Sequence, residues 1–177
     1  MIRPVILAAA AVLAAAPATA LTLPGAREDA TRPPDFLRHA NLRALVLRDP
    51  AVSATNRALA RDYAGARGGI DRFSASYGDL TGDGTTDVVV PLYSGGTAGD
   101  IAYFVYAEVG GKVKDIFAVN DTYKVGVTIR SGRLVERTPI YRAQDANCCP
   151  SYIRTTVYKW DGSGFKVQAR TTSRTRR

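Results

Sequence analysis

The chain is poor in the residues that most often carry chemistry. Its 177 residues include two cysteines, one histidine, one tryptophan and one methionine. Two cysteines cannot build a four-cysteine zinc site or a disulfide framework. A single histidine, His39, excludes every two-histidine metal or catalytic arrangement. No Gly-x-Ser-x-Gly elbow and no Cys-x-x-Cys pair is present, so serine-hydrolase and thioredoxin-like chemistry have no motif here. No apolar run reaches the ~20 residues that a membrane-spanning helix needs. No segment recurs, which argues against a repeat architecture. The remainder is that of a globular protein. Hydrophobic residues make up 46% and charged residues 23%, too apolar a mixture for disorder, and the length suits one domain. The formal charge of +8 favours anionic partners.

The first twenty residues read as a secretory signal. Arg3 is the positive start, Val5 to Ala16 is apolar, Pro17 breaks the run, and Ala18-Thr19-Ala20 is a small-x-small cleavage site. The expected mature protein starts at Leu21, carries one positive charge fewer, and is secreted or periplasmic. No cysteine lies near the cleavage site, so no lipid attachment is expected there. Residues 21–34, with three prolines, read as a linker. Residues 35–169 read as the single folded domain.

Asp35 is placed to cap a helix from Phe36 to about Leu47, and Asp49-Pro50 to open a second one reaching about Ala60. From Ile70 the hydrophobic period changes to two. Strands are expected over Phe73–Tyr77, Asp87–Tyr93, Ile101–Val109, Val113–Val119, Val125–Arg130, Leu134–Ile140, Tyr152–Trp160 and Phe165–Ala169. Val88-Val89-Val90 is apolar on both faces, as in a central strand. Pro139 pushes its strand toward an edge. The expected fold is α+β and mainly β: a short N-terminal helical segment packed on an antiparallel meander sheet of about eight strands.

Five features stand out. In Asp79-Leu80-Thr81-Gly82-Asp83-Gly84-Thr85-Thr86-Asp87, Asp79, Thr81, Asp83 and Asp87 put side-chain oxygens at loop positions 1, 3, 5 and 9, with a carbonyl available from Thr85 at 7. A hard cation wants six to eight such oxygens on a chain that curls around it. The loop resembles the calcium loops of FG-GAP and VCBS-type β repeats, with Thr81 where those carry Asn or Asp. Two readings stand: a metal-free tight turn that uses Asp and Gly as turn formers, and a calcium site, with no other cofactor expected. Cys148 and Cys149 are neighbours. In an exported protein they are expected to be oxidised, as a vicinal disulfide or a bridge to another chain; two free thiols are the third fate. Residues 170–177 hold Arg170, Arg174, Arg176 and Arg177 and no acid. They read as a disordered basic tail that grips an anionic surface or is merely solvated. Ser94 to Gly99 is glycine-rich but lacks the lysine and following helix of a phosphate loop. Nine tyrosines and Trp160 read as sheet packing or as a carbohydrate platform.

The order of these pieces resembles a known family. Gly78-Asp79-Leu80-Thr81-Gly82-Asp83-Gly84 leads into Val88-Val89-Val90. Ser94-Gly95-Gly96-Thr97 and the aromatic strand Ala102–Tyr106 follow, then Cys148-Cys149-Pro150-Ser151 and Trp160-Asp161-Gly162. This is similar to the LppP/LprE-type lipoproteins of bacterial envelopes, over about Phe36 to Val167. The resemblance implies an exported β-rich domain and no particular activity. The expected role is therefore a non-catalytic binding or structural one in the cell envelope. The partner would be another envelope protein or an anionic surface polymer, with no specific nucleic acid. An envelope hydrolase using carboxylates, and a stress factor whose cysteines respond to oxidation, are the alternatives.

Overall fold

The computed structural model describes residues 33–62, 70 and 74–175. The expected signal segment, all but the last two residues of the linker, Phe73, Arg176 and Arg177 lie outside these residues. Three short helices precede eight strands: α1 Phe36–His39, α2 Leu42–Arg48, α3 Ala54–Asp62, β1 Ser76–Gly78, β2 Asp87–Tyr93, β3 Asp100–Val109, β4 Lys112–Val119, β5 Gly126–Arg130, β6 Arg133–Ile140, β7 Tyr152–Trp160 and β8 Phe165–Arg174. The class is α+β and mainly β, as expected.

The first expected helix is two. Ala40 is extended, and the Asn41 side chain accepts from Ala44 N at 3.0 Å, capping a new start. Asp35 makes no cap hydrogen bond; its carboxylate lies 3.4 Å from His39 Nε2. Asp49 closes a turn instead of opening a helix, accepting from Ala51 N at 2.8 Å. Ser53 Oγ accepts from Asn56 N at 3.2 Å, and α3 starts there.

The eight strands form two four-stranded antiparallel sheets, ordered β1-β2-β3-β4 and β5-β6-β7-β8, where one meander was expected. The amphipathic demands of β2 and β3 explain the split. Val88, Val90, Leu92, Ala102, Phe104 and Tyr106 pack under Leu37, Leu42, Val46, Val52 and Ala60 of the helical region. On the opposite face Val89, Tyr103 and Val105 pack on Val125 and Leu134 of the second half. A sheet apolar on both faces must be covered twice. The helices supply one cover and the second sheet the other. The 120–125 segment makes the crossing, tied beside β3 by Thr122 N to Ile101 O at 2.8 Å and Val125 N to Asp100 O at 3.1 Å.

β6 lies inside its sheet, contrary to the expectation that Pro139 would place it at an edge. β5 stops at Gly126, opposite Arg137. Pro139 is beyond it, so the missing N–H faces no β5 partner. β8 continues to Arg174, pairing Arg170 with Thr156 and Arg174 with Tyr152. This corrects the expected disordered tail for 170–174. The polar threonine-rich run carries no core signal, but its backbone completes the β7 ladder.

Candidate functional site

The Asp79–Asp87 loop joins β1 to β2 and closes on itself. Asp79 accepts from Gly82 N at 2.6 Å and Gly84 N at 3.0 Å. Asp83 Oδ1 accepts from the backbone and hydroxyl of Thr85 at 2.8 and 2.6 Å. Burial raises the Asp83 pKa, but these bonds outweigh it and hold the carboxyl below its ordinary value. Gly82 and Gly84 have φ of +80° and +84°, which the curl requires. Asp87 is fully buried, and its Oδ2 accepts from Leu80 N at 2.7 Å and Thr81 N at 2.9 Å. Burial pushes its pKa up to about 6 despite those two bonds. Asp87 Oδ1 and Thr81 Oγ1 are buried with no hydrogen-bond partner. Among the described residues no three acidic, His or Cys side chains are grouped to hold a metal ion. The loop oxygens are directed largely at the loop's own N–H groups.

Cys148 and Cys149 are bonded to each other, the vicinal form of the three that the sequence allowed. They are exposed on the 141–151 connection. Asp145 organises that connection, accepting from Arg142 N at 2.8 Å, Ser151 N at 2.7 Å and Ser151 Oγ at 2.8 Å. Beside it lies an aromatic corner that the sequence did not reveal. The Tyr123 and Tyr141 rings meet edge to face at 6.0 Å, and Lys124 Nζ lies 5.4 and 5.9 Å from their centres. Asn147 gathers all three, bonding the Tyr123 hydroxyl, the Tyr141 hydroxyl and the Lys124 amine. Lys124 has φ of +51°, an uncommon conformation for a side-chain-bearing residue.

The second sheet is strongly cationic. Its strands hold eight basic residues, Arg130, Arg133, Arg137, Arg154, Lys159, Lys166, Arg170 and Arg174, and one acid, Glu136. The strands of the first sheet hold two basic and four acidic residues. Val127, Ile129, Leu134, Tyr158 and Phe165 face the inter-sheet core. Alternation therefore sends Arg130, Arg133, Arg137, Lys159 and Lys166 to the opposite, outer face. No acid occupies that face of β5–β8. Glu136 points inward, accepting from Tyr103 Oη at 2.6 Å and Thr138 Oγ1 at 3.0 Å. Of the predicted surface arginines, Arg170 and Arg174 sit on exposed positions of β8.

A cleft of about 520 Å³ lies where α2 meets the first sheet. Asp49 is buried in its wall and accepts from Tyr106 Oη at 2.9 Å. Asp115 stands opposite Tyr106 in the β3–β4 register, at a bulge. Burial, and then the nearby Asp49 charge, push the Asp115 pKa up to about 6. Arg48 and Lys114 flank the pair. The residues lie 57 positions apart along the chain at Asp49 and Tyr106, so no motif could show them. The Ser94–Gly99 turn is a closed connection: Ser94 N bonds Gly99 O at 2.9 Å, Gly99 N bonds Gly96 O at 3.2 Å, and Gly96 N bonds Ser94 Oγ at 3.2 Å. Tyr103 and Tyr106 are core residues, whereas Tyr93 and Tyr123 are exposed.

These features define a mainly-β domain with a helical cover, one cationic sheet face and a disulfide-closed turn. The chain is similar to lipoprotein CseA of Streptomyces avermitilis, 31% identical over 127 residues, 72% of this chain and 57% of that protein. It is also similar to lipoprotein CseA of Streptomyces coelicolor, 30% identical over 96 residues, 54% of this chain and 42% of that protein. The chain thus spans about half the length of these curated relatives. No family profile matches it, and no solved structure does. No described helix is long and apolar enough to cross a membrane.

Proposed function

We propose that the protein is an exported cell-envelope binding domain that docks the outer face of its second sheet on an anionic envelope polymer. The carrying observation is the charge division: five basic residues, Arg130, Arg133, Arg137, Lys159 and Lys166, and no acid on the outer face of β5–β8, with Glu136, the one acid of these strands, turned inward. Such a face raises encounter rates with polyanions and loses grip as salt rises. A polymer suits it better than a bilayer. Membrane-docking surfaces insert large apolar side chains, and the exposed large hydrophobics of the described residues are Tyr93 on β2, Tyr123 in the 120–125 crossing and Val167, which pairs with the inward-facing Tyr158. The signal-like N-terminus and the similarity to two lipoproteins support export. The LppP/LprE-type assignment belongs to the same reading, supported by the Cys148-Cys149-Pro150-Ser151 block and its order after the Asp79–Asp87 loop.

The test is retention on a polyphosphate resin across a salt series. Charge reversal at Arg130, Lys159 and Lys166 is expected to abolish retention, while reversal at Lys112 and Lys114 of the first sheet leaves it. Equal retention of both triple and double variants would overturn the docking face. Retention only on anionic lipid vesicles would replace the polymer by a membrane.

Two further readings have observations of their own. A calcium ion on the Asp79–Asp87 loop is supported by the buried, unpartnered Asp87 Oδ1 and Thr81 Oγ1. A carboxylate hydrolase is supported by the Asp49–Tyr106–Asp115 cleft, where one carboxyl is held protonated to higher pH, as a general acid requires. Hydrolysis of envelope glycan that disappears in Asp115→Asn, with the fold intact, would establish it.

A further inference from the structure

At the disulfide end of the cationic face lies a groove of about 310 Å³, lined by Lys124, Arg137, Pro139, Tyr141, Cys148 and Ile153 among others. We propose that this groove holds one anionic sugar ring, a uronate or a sugar phosphate, of the polymer on which the sheet docks. The proposal rests on the anionic-polymer reading and adds the chemistry of the repeating unit.

Charge comes first. Lys124 and Arg137 are the side chains of the lining that carry charge at neutral pH, and both are cationic. The exposed Arg137 guanidinium forms no hydrogen bond or ion pair with a described residue, and its planar fork fits a carboxylate or phosphate. The Lys124 amine is pinned at the groove edge by Asn147 and by the two tyrosine rings. A positive charge fixed in place loses little freedom when an anion arrives.

Shape comes second. Tyr141, Pro139, Ile153 and Cys148 supply the apolar part of the lining. Tyr141 is wedged against Tyr123 and its hydroxyl bonds Asn147 O at 2.9 Å, so the ring is held. An aromatic ring with a polar tip takes the C–H face of a sugar while its hydroxyls stay wet. The bond between Cys148 and Cys149 closes the turn at the rim. Small-ligand sites run from about 300 to 1,000 Å³, so this groove takes one ring and not an oligosaccharide.

The test uses the folded, isotope-labelled full chain and reads backbone amide shifts on titration with glucuronate, glucose 6-phosphate, glucose and inorganic phosphate. Both acidic sugars are expected to saturate shifts at Arg137, Tyr141, Cys148 and Cys149. Glucose and inorganic phosphate are expected to bind about tenfold more weakly, the worth of one lost charge-assisted hydrogen bond or its apolar counterpart. Arg137→Met should weaken both acidic sugars about tenfold. Tyr141→Phe should keep the preference for sugar over phosphate, and Tyr141→Leu should lose it. Equal affinity for phosphate and the acidic sugars would reduce the groove to an anion site and overturn the proposal. So would equal affinity for glucose, or the absence of shifts in the groove. Loss of sugar binding with polyphosphate retention intact would sink the subsite alone. Sugar binding without retention would sink the docking face alone.

Discussion

Replacing Asp115 by Asn should stabilise the protein at neutral pH and change little in acid. Asp115 lies opposite Tyr106 and near the buried carboxylate of Asp49, which already holds the Tyr106 hydroxyl. Burial and that neighbouring charge raise its pKa from 3.8 to about 6. A raised carboxyl is protonated in both folded and unfolded states below 3.8 and bears no penalty there. The penalty grows between 3.8 and 6 and is complete above 6, where the folded protein must carry the charge. At about 1.4 kcal/mol per pH unit, the ceiling is about 3 kcal/mol. Asp115 is only partly buried, and solvent screening reduces this to about 1–2 kcal/mol. Asn keeps an oxygen for Phe117 N, which Asp115 Oδ1 now accepts at 3.2 Å. Urea midpoints of parent and variant at pH 4 and pH 7 isolate Asp115 together with its coupling to its neighbours, because the titrations of groups that do not sense it cancel in the difference. The variant should gain about 1–2 kcal/mol at pH 7 and match the parent near pH 4. An equal gain at both pH values, or a loss at pH 7, would refute the buried like-charge account of this cleft.

Tyr103→Phe should cost about 1–3 kcal/mol, read by urea unfolding, because it leaves Glu136 Oε2 without the 2.6 Å donor that Tyr103 now supplies between the sheets. Gly78→Ala should destabilise by about 1–3 kcal/mol, since the new Cβ would stand 2.7 Å from Ile129 Cγ2 where β1 meets β5; an unchanged thermal midpoint would mean that the seam between the sheets yields. If the Asp79–Asp87 loop takes calcium, a concentration 100 times the dissociation constant should add about 2.7 kcal/mol, roughly 5–10 °C in the midpoint. Identical melts in calcium and chelator would remove the ion. Asn120→Ala should loosen α3 from the first sheet at a cost of about 1–3 kcal/mol, because Asn120 Oδ1 accepts from Ser53 N at 2.7 Å and its amide donates to Ala51 O at 2.8 Å; protection of the α3 amides from hydrogen exchange is the readout.

Much of this protein is local, and local features are legible in one dimension. The switch from a helical to a two-residue period, the Gly110-Gly111 and Ser131-Gly132 turns, and the doubly apolar Val88-Val89-Val90 placed the strands within a few residues. The curl of the Asp79–Asp87 loop followed from Gly82 and Gly84, because few other residues accept their φ. The adjacency of Cys148 and Cys149 made a vicinal bond one of three outcomes. Tertiary structure alone decided that eight strands divide into two sheets, because covering both faces of β2 and β3 is a demand of packing and not of any single segment. It also decided that 170–174 is strand, since the β7 edge supplies partners that a polar run cannot advertise. The cationic face exists only once the register aligns every second residue of four strands. The Asp49–Tyr106–Asp115 cleft and the Tyr123–Lys124–Tyr141 corner join residues far apart in the chain. Periodicity reports which way a side chain points, but only the closed fold reports what it meets.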